Sequence, residues 1–457
     1  KVYDSKSIKN HISKDYKKYN KQIIDLDKKI SISNEKFIYS GDELRRRQYL
    51  AGMNIEDLEL ILHPMVEEAK EAVGSMGDDT PTAVLSDRYR PLSHFFRQNF
   101  SQVTNPPIDS LRENEVMSLK TRFGNLRNIL DFENVPIDNI YVLDSPILSN
   151  SQFKKFTVFF KNNLKVLDCT FNVQNNLKER LDQLSFEAEI AVREGCKHLI
   201  LSDKQLSEKK AAVPMILAFG AINSKLVNLG IRGFVSINVQ TGEVLDTHSF
   251  AVLLGVGATT INPYLAFDSI YQRYEKKLFG KFSYEECIQR YIKSVNNGLL
   301  KIMSKMGISV LSAYRGGCNF ETVGLSRAVV AEYFPGMISR ISGIGIFGIE
   351  TKVKELHKKA FQKNVSILPI GGIYKYRKNG ENHQYQGQLI HMLQHAVAIN
   401  SYETYKKYAQ GIYNLPLINL RDLLIFKSPR KSININEVEL ETSLRKRFGS
   451  GSMSHGA

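Results

Sequence analysis

The stretch Gly195-Cys-Lys-His-Leu-Ile-Leu-Ser-Asp203 decides the fold class that the sequence predicts. Its apolar run is short enough for a buried strand, and a helix is predicted just before it, over Leu177–Val192. Gly195 fits the left-handed position that ends many helices. A second helix, Ala211–Leu229, and a second strand, Gly233–Val239, repeat this order. Because parallel strands need crossovers of this length, the repeat predicts an α/β fold with a mostly parallel sheet wrapped by helices.

The same pattern continues toward the C-terminus. Phe250–Ile261 is compatible with either helix or strand, Tyr284–Met306 predicts a long amphipathic helix, and Ile308–Ser312 predicts a strand. A partial barrel and an open α/β layer satisfy this order of elements equally well.

Helices are also predicted outside this repeat. Gly41–Gly52 and Ile55–Val73 form the first pair, and Asn54 before an acidic first turn suits an N-cap of the second. Leu92–Phe100 is interpreted as a buried aromatic helix. After Glu350 the sequence becomes irregular, interrupted by one helix over about Gln388–Tyr408.

Composition bounds the class of protein. The 457 residues are 42% hydrophobic and 24% charged, which predicts more than one folding unit. The net charge of +15 raises the alternative of a nucleic-acid-binding protein. Lysines concentrate near the start, in Lys352–Lys363 and in Lys427–Lys431, without the aromatic interleaving of a single-strand binding surface. We therefore predict no nucleic-acid partner.

Metal and membrane functions are not predicted. The four cysteines lie far apart without metal-ligand spacing, so they are interpreted as buried thiols. Asp78-Asp79 could bind a metal, but two adjacent aspartates are more typical of caps and loop hydrogen bonds. The chain begins at Lys1 without a leader or an apolar segment long enough to cross a bilayer, so we expect a soluble, intracellular protein.

Ligand-binding residues are expected where parallel strands end. Ser202-Asp203, Asn262–Tyr264 and Ser312–Cys318 each follow a predicted strand or apolar segment. Arg315, beside two glycines, could hold a carboxylate or phosphate or could satisfy loop carbonyls. The sequence leaves both roles open.

A proline pair stiffens Gln102-Val-Thr-Asn-Pro-Pro-Ile-Asp109. Each proline fixes its own φ and pushes the preceding residue toward extended backbone, so Thr104 and Asn105 should be presented rigidly. The stretch is either a rigid turn between helices or a functional loop.

Several strings together resemble the large subunit of the glutamate synthase family over about residues 43–457. They are Ile55-Glu-Asp-Leu-Glu-Leu-Ile-Leu62, Gly74–Pro81, Gln102–Asp109 with Arg112-Glu113, Ile261-Asn-Pro-Tyr-Leu-Ala-Phe267, Gly298–Ser309 and Tyr314-Arg-Gly. The closing Arg447-Phe-Gly-Ser-Gly-Ser-Met-Ser-His-Gly-Ala457 could be an engineered linker, but it also resembles the turn that begins the family's flavin site. The sequence departs from the family at His248-Ser249 and at Arg315-Gly-Gly-Cys318.

The resemblance implies a reaction. Members of the family make two L-glutamate from L-glutamine and 2-oxoglutarate, passing ammonia from a glutaminase domain through a tunnel to an FMN barrel. An iron–sulfur cluster and an electron-donating small subunit or ferredoxin supply electrons. The donor and the oligomeric state are not readable from these residues. A non-catalytic α/β scaffold or binding module is the alternative function.

The resemblance also implies sites and domains. Gly451, Ser452, Met453 and Ser454 would contact FMN, and Thr104, Asn105, Pro106 and Arg315 are tunnel or interdomain candidates. No catalytic residue and no metal ligand is expected within the chain, which would be inactive alone. The division would be a connecting segment (1–42), a central domain (43–350), a linker (351–435) and the beginning of a (β/α)8 FMN barrel (436–457), in the cytoplasm or a plastid.

Overall fold

The computed structural model describes residues 4–18, 23–33, 35–72, 78–100, 108, 111–124, 139–362 and 367–425, and the single residues 427, 431, 434, 436 and 445. The strands within them are β1 Ile23–Asp25, β2 Phe96–Gln98, β3 Thr121–Phe123, β4 Ile140–Leu143, β5 Leu164–Asp168, β6 Thr170–Asn172, β7 His198–Ser202, β8 Lys210–Ala212, β9 Ser236–Gln240, β10 Thr260–Asn262, β11 Phe320–Leu325 and β12 Ile338–Ile344.

The α-helices of these ranges are α1 Ser5–Lys18, α2 Gly41–Leu50, α3 His63–Glu67, α4 Glu113–Val116, α5 Asn150–Phe159, α6 Leu177–Arg193, α7 Met215–Asn228, α8 Thr247–Val256, α9 Tyr264–Glu275, α10 Tyr284–Met306, α11 Leu311–Tyr314, α12 Arg327–Tyr333, α13 Ile346–Ala360, α14 Gly387–Ala398 and α15 Tyr402–Tyr413. A π-helical turn, Asp57–Leu62, leads into α3.

Four parallel strands form the central sheet in the order β10-β9-β7-β5. All five residues of β7 are buried, as expected for a strand covered on both faces. Helices α6, α7 and α8 cross between successive strands, and Gly195 (φ 92°) and Gly230 (φ 70°) follow the ends of α6 and α7. The predicted α/β class with a mostly parallel sheet wrapped by helices is confirmed. The described strands form an open sheet rather than part of a barrel.

Three smaller sheets surround the central one. In the first, β4 pairs parallel with β1 and antiparallel with β3. In the second, β11 pairs parallel with β12 and antiparallel with β2. In the third, β6 pairs with β8. The predicted beginning of the FMN barrel, 436–457, lies almost entirely outside the described residues.

Helix α10 has the bounds that the sequence predicts. Ser283 and Glu286 cap its first turn reciprocally, and Gly307 ends it in the left-handed conformation (φ 70°). Ile288, Tyr291 and Val295 follow the helical repeat and are buried. Each such side chain contributes roughly 1.5–3 kcal/mol when it leaves water.

The other predicted helices are confirmed with shifted ends. The first is α2, and the second runs from the π-helical turn through α3 and ends at Glu67. The predicted Ala211–Leu229 helix begins only at Met215, after strand β8. The ambiguous Phe250–Ile261 stretch contains both the end of α8 and the start of β10.

The predicted helix over Leu92–Phe100 is wrong. Leu92–Phe95 form a 3-10 turn and Phe96–Gln98 form strand β2. Phe96 pairs with Thr322 of β11 in an antiparallel ladder. The ladder satisfies the backbone polar groups that a helix would otherwise pair internally.

The predicted strand over Ile308–Ser312 is also wrong. Only Val310 makes a bridge, to Ser118, and the chain then turns into α11. The single helix predicted for Gln388–Tyr408 is two helices, α14 and α15. They separate where Asn400 takes φ 50° and Ser401 accepts the Thr404 N–H as an N-cap.

The cysteines are free, but they are not uniformly buried as expected. Cys169 and Cys287 are buried, Cys196 is half-buried and Cys318 is exposed. The described residues contain no group of three or more His, Cys, Asp or Glu side chains that could hold a metal ion. Among the helices of the described ranges, none is both long and apolar enough to span a membrane.

Candidate ligand site at the carboxyl edge of the central sheet

The parallel strands of the central sheet end in a row of polar side chains. The Ser202 hydroxyl donates to Gln240 Oε1 (3.0 Å), and the Gln240 amide donates to Asn262 Oδ1 (3.0 Å). The Asn262 amide continues the row to the carbonyl of Leu148 (3.0 Å) and to Asn150 Oδ1 (3.1 Å), at the start of α5. These bonds fix three neighbouring strand ends and one helix start to each other.

Asp203 lies just behind this row and is almost fully buried. Its carboxylate accepts hydrogen bonds from the Thr241 hydroxyl (2.6 Å), the Gly242 N–H (2.9 Å) and the Tyr264 hydroxyl (2.9 Å). Burial raises the pKa of Asp203, and these donors oppose that rise. Both carboxylate oxygens are therefore used to join the loops after β7, β9 and β10.

Arg47 connects α2 to the loop after β7. Its guanidinium donates to Glu43 Oε1 (2.7 Å) and to the carbonyls of Lys204 and Leu206 (3.2 Å each). It also stacks 3.9 Å from the ring centre of Tyr39. A planar guanidinium with five donors suits this position, because a lysine could not serve the same acceptors.

Asp268 of α9 holds the segment that precedes α2. Its two oxygens accept the N–H groups of Ile38 and Tyr39, each at 2.9 Å. Burial raises the pKa of Asp268 to about 7 in spite of these donors. A cleft of about 890 Å³ opens between this N-terminal segment, α5 and the sheet edge.

A second polar cluster joins the first half of the chain to the loop that contains Gly371 and Gly372. Glu56 accepts three backbone N–H groups of this loop, from Ile373 (2.6 Å), Tyr374 (3.1 Å) and Lys375 (2.9 Å). Three donors on one carboxylate are among the stronger arrangements that neutral backbone groups can make.

Further buried contacts hold the same loop. Glu381 and Arg90 form an ion pair (3.0 Å) in which both side chains are buried, and the Ser86 hydroxyl donates to the same Glu381 oxygen (2.7 Å). A cavity of about 280 Å³ remains between the loop, α2 and α13. The loop is therefore packed onto the α/β core at several points.

The candidate residues do not all meet at one site. Asp203 and Tyr264 come together, as their positions after strands predict, whereas the Ser312–Cys318 loop does not follow a strand of the central sheet. Asp78 accepts from Thr80 (2.9 and 2.6 Å) and Asp79 from the Tyr385 N–H (3.1 Å). The loop hydrogen-bonding interpretation of this aspartate pair is thus confirmed.

Arg315 lies at the end of α11 beside Arg232. Arg232 donates to Asn223 Oδ1 (2.7 Å) and to the carbonyls of Val235 (2.7 Å) and Gly257 (3.2 Å). Arg315 Nε and Nη2 are buried and have no hydrogen-bond partner among the described residues. Burial lowers the pKa of Arg315 to about 10. Its roles in holding a carboxylate or phosphate and in satisfying loop carbonyls stay predictions.

The remaining candidate residues lie outside the described residues. They are the tunnel candidates Thr104, Asn105 and Pro106 and the flavin candidates Gly451, Ser452, Met453 and Ser454. The described residues just before the proline pair make defined contacts: the Asn99 N–H donates to the Asn319 carbonyl (2.8 Å). The Tyr314 hydroxyl donates to Gln98 Oε1 (2.7 Å).

Sequence reasoning missed three carboxylates, one buried and two half-buried, whose pKa values are raised. Glu243 accepts the Met215 N–H at the start of α7 (2.9 Å), and burial raises its pKa to about 8. Burial also raises the pKa of Asp57 to about 7. Asp268 is the third. An acidic residue inside an apolar helix, as in Leu265-Ala-Phe-Asp268, is the one signal that could have indicated such a group.

Comparison with known proteins places these features in a family. Residues 46–326 match the family described as "Glutamate synthase central domain", and residues 383–457 match "Conserved region in glutamate synthase". The chain is 50% identical to the glutamate synthase [NADPH] large chain of Azospirillum brasilense, over all of this chain and 31% of that protein. It is 38% identical to the Bacillus subtilis (strain 168) large chain, over 91% of this chain and 27% of that one.

A plant relative and a solved structure extend the comparison. Identity to the chloroplastic ferredoxin-dependent glutamate synthase of Spinacia oleracea is 35%, over all of this chain and 29% of that protein. The recombinant flavin-binding domain of baker's yeast flavocytochrome b2 is 11% identical with a TM-score of 0.32, over 66% of this chain and 99% of that one, which is too low to define a shared fold. The chain spans less than a third of the length of these curated relatives. Because the central-domain match covers more than half of the sequence, the chain belongs to the glutamate synthase family.

Proposed function

We propose that this chain is the central part of a glutamate synthase large subunit. The intact protein would form two L-glutamate from L-glutamine and 2-oxoglutarate, with ammonia passing internally between two active sites. FMN, when bound, would supply the hydride for reducing 2-iminoglutarate, and an iron–sulfur cluster would carry electrons to it. The donor would be a small subunit or ferredoxin, since relatives of both NADPH-dependent and ferredoxin-dependent types are similar to the chain.

Within that protein, the part spanning 43–350 would separate the two active sites and wall the ammonia tunnel. Segment 1–42 would connect it to a glutaminase domain, 351–435 would link it to the synthase domain, and 436–457 would begin the FMN barrel. The chain alone would be inactive. The intact protein would act in the cytoplasm, or in a plastid in a photosynthetic eukaryote.

One observation carries the proposed wall function. The residues that precede the predicted tunnel turn are bonded to the segment on both sides of Arg315, through Asn99 with Asn319 and Gln98 with Tyr314. A wall that excludes water has to be rigid, because ammonia that meets water is protonated and lost. Two hydrogen bonds between separate elements supply that rigidity at the point where the turn begins.

The native gene product provides the test. The purified protein should hydrolyse glutamine and, with a reductant, convert 2-oxoglutarate to glutamate, whereas residues 1–457 alone should do neither. A native protein that ends at Ala457, or one that makes no glutamate when supplied with FMN and reductant, would overturn the proposal in favour of an α/β scaffold.

A further inference from the structure

The 890 Å³ cleft beside the central sheet is a cavity that the proposed function does not use. Its floor contains Val166 of β5, Ile200 of β7 and Gln240 of β9, and its walls are α5 and the N-terminal segment that includes Phe37. The cleft covers the sheet at Val166 and Ile200, in the middle of their strands. It extends to Lys204 and Gln240 at the carboxyl ends, where ligands of open α/β sheets bind. Its volume lies within the range of small-molecule pockets.

The charge of the cleft has one sign. Five lysines are among the described residues that line it, and none of those residues is acidic; the lysines are Lys29, Lys36, Lys154, Lys155 and Lys204. Two carboxylates on the surrounding elements are already engaged. Glu35 accepts the hydroxyls of Ser149 and Ser151, and Asp268 accepts two backbone N–H groups. A concave surface of one sign raises the local concentration of the opposite charge.

Two of these lysines are already positioned by the fold. Lys155 Nζ donates to the Ser31 carbonyl and the Ser33 hydroxyl (2.7 Å each), which fixes the N-terminal wall against α5. Lys204 follows β7 and is partly buried, and its carbonyl is held by Arg47. The Lys155 ammonium is therefore held before a ligand arrives and loses little side-chain freedom on binding, whereas for Lys204 it is the backbone that is fixed.

The cleft is also unusually apolar for an exposed surface. Phe37, Val158 and Val166 line it and are 40%, 68% and 49% exposed. Apolar surface gathered in a concavity marks a binding site more often than scattered exposed residues do. The occupant therefore has to combine an apolar body with negative charge.

We propose that this cleft binds a small organic anion with a flat apolar body and at least one carboxylate, sulfonate or phosphate group. The apolar body packs on the sheet floor and Phe37, and the lysines attract the anionic group. The inference rests on this chain alone and is independent of the proposed function.

Two probes with the same rings separate the contribution of the anionic group to binding from that of the apolar body. 1-Anilinonaphthalene-8-sulfonate carries a sulfonate, and N-phenyl-1-naphthylamine lacks it. Calorimetric titration of the full chain should give one site for the sulfonate, several-fold tighter than for the neutral compound and weaker at high salt. Equal affinity of the two probes would overturn the proposal.

Matched variants locate the site. Lys36→Gln with Lys154→Gln should weaken sulfonate binding roughly 5- to 25-fold, since exposed ion contacts contribute modestly. The control pair Lys161→Gln with Lys293→Gln removes the same charge outside the cleft and should leave the affinity for the sulfonate unchanged. Val166→Glu should abolish binding, whereas Phe186→Glu, at a comparably exposed apolar residue on α6, should not. Unchanged binding in Val166→Glu, with circular dichroism showing a native fold, would contradict this site.

A protein segment is the competing occupant. If the longer gene product fails to bind the sulfonate probe while residues 1–457 bind it, an acidic stretch of the polypeptide fills the cleft, and the small-molecule proposal is wrong. Binding with the same affinity in both proteins would support it.

Discussion

The imidazole of His383 lies 2.8 Å from the carboxylate of Asp79. Its other ring nitrogen is 2.6 Å from the carbonyl of Gly372, which can only accept a hydrogen bond. Burial acts to raise the pKa of Asp79, but the bonds from His383 and Tyr385 outweigh it and hold that pKa below its ordinary 3.8. Asp79 is therefore ionised at neutral pH, and its contact with the His383 ring joins it to the loop that contains Gly372.

This geometry predicts how acid acts on the loop. A carboxylate whose pKa is lower in the folded state stabilises the fold above its ordinary pKa and ceases to do so as the pH falls through the folded value. Protection of the Gln384 and Tyr385 amides from hydrogen exchange should therefore decrease below about pH 4, from the ordinary pKa of 3.8 downward. Protection of these amides that stays constant to pH 2 would contradict the lowered pKa of Asp79.

The corresponding variant is Asp79→Asn. Hydrogen bonds to charged groups contribute about 1.5–3 kcal/mol, so protection of the same two amides at pH 7 should fall about 10- to 100-fold. Asp87→Asn, at an exposed aspartate nearby, should leave it unchanged. Leu199 in the central sheet should keep its protection in both variants, because the loop opens locally.

Glu56 predicts a similar effect at a second contact of the same loop. In Glu56→Gln, one amide oxygen replaces a carboxylate whose two oxygens accept three part-buried backbone N–H groups, so at least one of these donors loses its acceptor. We expect a loss of about 1.5–3 kcal/mol in the free energy of unfolding measured with urea. Glu59→Gln on the same helical turn is the control, and equal stabilities of the two variants would refute this role of Glu56.

Glu243 predicts the opposite dependence on pH. Burial raises its pKa from 4.5 to about 8, so the folded state binds a proton that the unfolded state has released, and stability falls as the pH rises from about 4.5 to 8. Glu243→Gln keeps an oxygen for the Met215 N–H and removes this cost. It should stabilise the protein at pH 9 by about 2 kcal/mol or more, since one pKa unit is worth about 1.4 kcal/mol.

The control for that measurement is the exposed Glu285→Gln, which should be neutral at both pH values. At pH 4 the Glu243→Gln variant should match the unsubstituted protein, because the carboxyl is then protonated. A melting temperature of Glu243→Gln at pH 9 equal to that of the unsubstituted protein would contradict the raised pKa of Glu243.

The sequence predicts those helix ends and strand ends that are determined by residues close together in the chain. Gly195 and Gly230 end their helices where the left-handed conformation is needed, and Ser283, Glu286 and Gly307 define α10 within the chain's own neighbourhood. Strand ends also predict that the Asp203 and Tyr264 loops share one edge of the sheet.

Contacts between distant parts of the chain could not be predicted in this way. Phe96 becomes a strand residue only because β11, more than two hundred residues later, pairs with it. Glu56 finds its three donors 317 to 319 residues away. Propensity and periodicity describe neighbours in sequence, so tertiary pairing overrides them at these positions. The lysine-lined cleft could not be predicted for the same reason, since its residues come from five separate parts of the chain.

Transfer of nitrogen in the native protein tests most directly the proposal that ammonia passes inside the protein between two active sites. With glutamine labelled with ¹⁵N at its amide and a large excess of unlabelled ammonium, the glutamate formed from 2-oxoglutarate should carry nearly full label, because ammonia stays inside the protein. Tyr314→Phe, which removes the bond to Gln98, should lower that fraction, whereas Tyr284→Phe, which removes the bond to the Phe267 carbonyl, should not. If the unsubstituted protein forms glutamate whose ¹⁵N content is diluted to the isotope ratio of the bulk ammonium, ammonia does not pass internally and the proposal is contradicted.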